Sequence, residues 1–107
     1  MLKGINQWAF PNDMPAAQAM AMAARIGYQS FEVCVGETGP VSLEITEAEA
    51  SALRREADRL GLTIPSVGTG LGWQYPMTSP DPVVRAKGIE TTTQALQIAK
   101  WLGANTV

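Results

Sequence analysis

The spacing of apolar residues along the chain alternates between a period of two and a period near 3.6. From Leu2 to Phe10 it alternates, placing Gly4, Asn6 and Trp8 on one face and Ile5, Gln7 and Ala9 on the other, which predicts a first strand. Pro11-Asn12-Asp13 ends it, with Asp13 as the expected N-cap of a helix over 14–26 and Pro15 in its first turn. The predicted buried stripe of that helix is Ala17, Met20, Ala21 and Ala24. A second strand is predicted over 30–35, with Phe31, Val33 and Val35 on one face and Ser30, Glu32 and Cys34 on the other. Thr46 and Glu49 match a capping box and open a helix over 47–60, with Ala50, Leu53, Ala57 and Leu60 as its inward face. A third strand is expected over 63–68, where Pro65 suits only a strand end or a bulge. A long loop through Trp73 and Tyr75 follows. Asp81-Pro82 then starts a helix over 82–102 with Ile89, Thr92, Thr93, Leu96 and Ala99 inward, and Asn105 to Val107 begins a fourth strand.

One joint is used three times: Ile26-Gly27, Leu60-Gly61 and Leu102-Gly103 each close a helical pattern and precede a β-rich stretch. Glycine suits the left-handed conformation that ends a helix. The resulting order, β-α-β-α-β-α-β, calls for an α/β domain of parallel strands with helical crossovers. An open doubly wound sheet and part of a (β/α)8 barrel both satisfy it. A complete barrel takes about 250 residues, against the 107 residues of this chain.

Composition narrows the function classes. Ten acidic and eight basic side chains leave a net charge of -2, which gives no footprint for nucleic acid and no basic patch for a membrane surface. Cys34 is the only cysteine, so no intrachain disulfide forms, and a cytoplasmic location is expected. No apolar run approaches the ~20 residues of a membrane span. Histidine is absent, which removes the commonest general acid/base and the commonest transition-metal ligand.

Glu32 is the most informative position. A strand covered on both sides by helices is apolar on both faces, yet Glu32 lies opposite Phe31, Val33 and Val35. In a barrel that second face looks into the lumen, where a carboxylate meets substrate; otherwise it is a structural glutamate bonded to a neighbouring strand. Asn6 and Trp8 extend the same choice to the first strand, as an amide for hydroxyls beside an indole for the apolar face of a sugar, or as core and backbone contacts. Trp73 and Tyr75 either cover a pocket or pack their loop down. Gly68-Thr69-Gly70-Leu71-Gly72 matches no phosphate-loop pattern and reads as loop glycine. Cys34 reads as a small buried residue.

Several stretches in order, Gly27-Tyr28-Gln29-Ser30-Phe31-Glu32-Val33, Ala57-Asp58-Arg59-Leu60-Gly61-Leu62-Thr63-Ile64, Thr78-Ser79-Pro80-Asp81-Pro82 and Ala95-Leu96-Gln97-Ile98-Ala99-Lys100-Trp101-Leu102-Gly103-Ala104, resemble the xylose isomerase-like superfamily, in its sugar and sugar-phosphate isomerase/epimerase branch. The resemblance implies that residues 1–107 are the N-terminal part of a (β/α)8 TIM barrel. It implies a parent enzyme that transfers a proton next to a ketose carbonyl, with a divalent Mn or Mg ion held on later strands. Carried over by position, Asn6, Trp8, Glu32 and Trp73 are the expected substrate contacts. No catalytic residue and no metal ligand is carried over, and no cofactor is expected in this chain itself. The expected partner is a sugar or sugar-phosphate, with self-association through exposed strand edges. An endonuclease IV-like member of the same superfamily, and a non-catalytic half-barrel that pairs with another chain, are the alternatives.

Overall fold

The computed structural model describes residues 1–107. Its elements are β1 (Gly4–Asn6), a 3-10 turn (Gln7–Ala9), α1 (Ala16–Ile26), β2 (Ser30–Val35), α2 (Glu47–Arg59), β3 (Val67–Thr69), α3 (Leu71–Gln74) and α4 (Pro82–Leu102). The strands form one parallel sheet in the order β1-β2-β3. Thr106 adds a single bridge to Ser66 on the far side of β3, so the fourth strand is present only as that contact.

Parallel pairing fixes which residues share a face. Asn6 lies opposite Glu32, and Cys34 opposite Gly68. Ser30 is bridged to Thr63, while Val33 pairs with Val67. The third strand therefore carries one more residue than β2 between these pairings. Pro65, which cannot donate to a ladder, sits in that bulge.

Phe31, Val33 and Val35 are buried under the helices with Met20, Ile98 and Leu102, and form the centre of the core. The Phe10 ring meets Phe31 with centroids 5.9 Å apart. The thrice-used joint holds: Gly27, Gly61 and Gly103 all have positive φ, where a Cβ would clash. The α2 capping box forms in full, with Thr46 and Glu49 bonding each other's backbone N–H.

Several boundaries differ from the sequence reading. The first strand stops at Asn6 rather than continuing to Phe10, because the Asn6 side chain accepts the Trp8 N–H and turns the chain into the 3-10 turn. Helix α1 starts at Ala16 after Pro15, and Asp13 does not cap it. Its buried residues are Ala16, Ala19, Met20 and Ala23, whereas Ala17 and Ala21 are exposed. In α4 the buried side is Gly88, Thr91, Ala95, Ile98, Ala99 and Leu102. Ile89 and Leu96 instead stand 58% and 55% exposed. Small residues face inward there because the approach is close: a Cβ on Gly88 would run into the Tyr75 carbonyl and come within 3.1 Å of Met77 Cγ. The stretch after β3 contains the short helix α3 rather than an unbroken loop.

Candidate substrate site on the sheet

The face of the sheet away from the helices is polar or small at each paired position. β1 contributes Gly4 and Asn6, β2 contributes Ser30, Glu32 and Cys34, and β3 contributes Gly68. Ser66, just before β3, completes a row with Asn6 and Glu32.

Glu32 is the centre of that row. One carboxylate oxygen, Oε1, accepts from Asn6 Nδ2. The other, Oε2, accepts from Ser66 Oγ at 2.5 Å. The carboxylate is thus bonded to both flanking strands, as the structural reading of Glu32 required. It remains only half-buried. An ionised carboxylate has about four acceptor sites, so two neutral donors orient it without saturating it. A shallow depression of about 230 Å³ opens beside it, lined by Gly4, Asn6, Ser30, Pro65 and Ser66 among others. Gly68 keeps the upper side clear: a Cβ there would lie 3.3 Å from Cys34 Sγ and 3.3 Å from Glu32 Oε1.

Asn6 links this row to the 3-10 turn. Its Oδ1 accepts the Trp8 N–H at 2.7 Å and the Cys34 thiol at 3.3 Å. The next residue, Gln7, is buried and its side-chain carbonyl accepts the Cys34 N–H at 2.9 Å. That bond replaces the ladder partner that β1 ceases to supply beyond Asn6. Burial pushes the Cys34 thiol above its ordinary value of 9.0, and the neighbouring Glu32 charge pushes in the same direction. Cys34 is therefore a protonated thiol at neutral pH, not an activated nucleophile.

The Trp8 indole is 60% exposed. It lines a cleft of about 330 Å³ between residues 7–12 and 38–41, with Cys34 and Phe10 also on its walls. Trp73 lies apart. It is 92% exposed on α3 and borders neither the cleft nor the depression. Its neighbours are tied down: Tyr75 Oη donates to Glu37 Oε1 at 2.8 Å, and Gln74 Nε2 to Glu37 Oε2 at 3.3 Å. The bond to Glu37 holds the Tyr75 phenol above its ordinary value.

The structure therefore joins three of the four residues expected to meet substrate, Asn6, Glu32 and, through its backbone, Trp8. Sequence reasoning missed Ser66, Gln7 and the Glu37–Tyr75 tie. Ser66 was within reach of a register count from Glu32, once the Pro65 bulge is allowed for.

No group of three or more His, Cys, Asp or Glu side chains is placed to hold a metal ion. The residues present do not fit a metal centre of their own. No helix is long and apolar enough to cross a membrane.

The family model described as "Xylose isomerase-like TIM barrel" matches residues 20–107. The chain belongs to the xylose isomerase-like TIM barrel family. Within it, the chain is 26% identical over 106 residues to the L-ribulose-5-phosphate 3-epimerases UlaE of Shigella flexneri serotype 5b and of Escherichia coli strain SMS-3-5 / SECEC. Each match takes in 97% of this chain and 37% of the relative. Among solved structures, D-psicose 3-epimerase in the presence of D-fructose superposes with a TM-score of 0.82 at 21% identity, over 98% of this chain and 35% of that one. D-psicose 3-epimerase of Clostridium cellulolyticum H10 with D-tagatose gives 0.77 at 17%, over 99% and 37%. The family likeness thus decides between the two sheet solutions in favour of barrel architecture, and the chain spans a little over a third of the length of these relatives.

Proposed function

We propose that the chain forms the first part of the substrate mouth of a sugar or sugar-phosphate isomerase/epimerase acting next to a ketose carbonyl. In this reading Glu32 accepts a sugar hydroxyl and Trp8 covers an apolar face of the ring or chain. The observation that carries it is the half-buried Glu32 carboxylate, oriented from both sides by Asn6 and Ser66 yet open to a depression on the inner face of a barrel-type sheet. The relatives' names support a ketose or ketose phosphate as the ligand class.

This chain's residues bind and orient; they do not move the proton. Glu32 is engaged by two donors, the Cys34 thiol is held protonated, and Glu37 is bound to Tyr75 and Gln74. A divalent ion would supply polarisation of the carbonyl in such a reaction. Its ligands are not found here, so no step is assigned to it.

A titration with D-fructose, followed by amide and indole NMR, tests the reading. The Trp8 indole N–H and the Glu32 amide are expected to shift, and Glu32→Gln to weaken the effect about 10-fold, the typical value of a hydrogen bond to a charged group. No shift at either position, or an unchanged response in Glu32→Gln, overturns it. The chain alone is also expected to give no stoichiometric Mn2+ binding by calorimetry and no epimerisation.

A further inference from the structure

Asn6 makes more directed bonds in the row than any neighbour, and its geometry leaves the amide one orientation. A backbone N–H can only donate, so the atom 2.7 Å from the Trp8 nitrogen is the carbonyl oxygen. The NH2 end is then the end that faces Glu32. Reversing the amide would set NH2 against the Trp8 N–H and a carbonyl against a carboxylate, two repulsive contacts at once. The Cys34 thiol, 3.3 Å from the same Oδ1, donates a third, weaker bond in this orientation.

We infer that Asn6 is a positioning residue: a single side chain sets the Glu32 carboxylate and the Trp8 turn relative to each other. One amide N–H and the carbonyl are committed to protein partners on both sides. The second amide N–H has no protein partner and Asn6 lines the depression, so its positioning role adds to the substrate contact its place on the strand suggested and does not replace it. Ser66 fixes the opposite carboxylate oxygen, so Glu32 is held in plane from β1 and from the third strand. What Glu32 is positioned for rests on the sugar-site reading; the coupling of Glu32 to the Trp8 turn does not.

Two substitutions separate the parts of this role. Asn6→Asp keeps an oxygen for the Trp8 N–H, since Asp and Asn cap equally well, but presents a second oxygen to Glu32 where a donor stood. Asn6→Ala removes both bonds. Without ligand, Asn6→Asp is expected to move the Glu32 side-chain carboxyl carbon resonance while Trp8 amide hydrogen exchange stays within about twofold of the parent chain. Asn6→Ala is expected to move both, with Trp8 exchange rising about 10-fold for the lost bond. A merely structural cap predicts that Asn6→Asp leaves the Glu32 resonance in place. That result overturns the inference, as does Trp8 exchange that is unchanged in Asn6→Ala.

With D-fructose as probe, Asn6→Asp is expected to weaken the Trp8 indole response about fivefold or more, because the acceptor no longer holds its orientation. An undiminished response overturns the inference. If D-fructose leaves the parent chain unperturbed while the ligand-free results come out as stated, the sugar-site reading falls and the positioning role of Asn6 stands.

Discussion

On one side of β2, Phe31, Val33 and Val35 are sealed under the helices. On the other, Ser30, Glu32 and Cys34 carry polar atoms that are all bonded or open to solvent, and no buried side-chain nitrogen or oxygen lacks a partner. The first face gains from removing apolar area from water, and its members tolerate loss of volume badly. The second gains little from burial but holds acceptors in fixed directions. One six-residue strand therefore carries a packing face and, in the proposed reading, a recognition face, and the pleat keeps the two apart.

The largest expected effect is on the sealed face. Phe31 is fully buried against Phe10 and the helical core. Phe31→Ala is expected to cost ~3–5 kcal/mol of stability, the range for a deleted core aromatic, measured by equilibrium urea unfolding. A loss near zero would mean that this face does not anchor the helices.

The next effect falls at the join between the faces. Gln7→Ala removes the acceptor of the Cys34 N–H at the point where β1 has stopped pairing. An unsatisfied buried donor costs about 1–3 kcal/mol. Gln7→Glu keeps an acceptor oxygen and is the control for geometry. If Gln7→Ala unfolds no more easily than the parent chain, water replaces the glutamine and the join is looser than described.

On the polar face the expectation reverses. Glu32→Gln is expected to change stability by less than ~1 kcal/mol, because an amide of the same shape retains one acceptor for its neighbours. The same substitution is expected to reduce the ketose response. A larger stability loss with an unaltered ketose response would make Glu32 a structural residue and collapse the division of labour on β2.

How far the sequence foretold this division depends on contrast. β2 was legible at both ends because every second residue from Phe31 is large and apolar, and α2 because its cap and its charged outer face are distinct. Helix α1 was not legible in phase: alanine and methionine occur on every side, so a 3.6 period has nothing to contrast with. In α4 the large residues Ile89 and Leu96 drew the inward assignment, while the close approach at Gly88 requires small ones inside. Glu32 was legible as an anomaly on its strand, but its partners were not. Ser66 depends on a bulge, and Asn6 on a side chain that ends its own strand.

The exposed apolar side of α4 offers a smaller, separate comparison with the sealed face of β2. Ile89 and Leu96 lie on it without cover from the residues described. Self-association is the expected consequence, since the adjoining sheet margin is held only by the Thr106 bridge. Sedimentation velocity over a concentration series is expected to show a rising average mass that Leu96→Glu reduces. A concentration-independent monomer would show that this side of the helix is simply solvated.

The smallest effect is a pH dependence that belongs to the polar face alone. Burial, and secondarily the Glu32 charge, raise the Cys34 thiol above 9.0 in the folded chain. The folded state then holds its proton more tightly than the unfolded state does. The stabilising contribution is complete below pH 9.0 and is lost as pH climbs through the raised folded value. Cys34→Ala removes this dependence whatever it does to stability at neutral pH. Melting curves between neutrality and alkaline pH are therefore expected to fall more steeply for the parent chain than for Cys34→Ala. Glu32→Gln should lessen the slope only in part, because the larger cause, burial, remains. Parallel curves for the parent chain and Cys34→Ala would mean that the thiol is solvated, and that the polar face of β2 is more open than the bonds from Asn6 and Gln7 indicate.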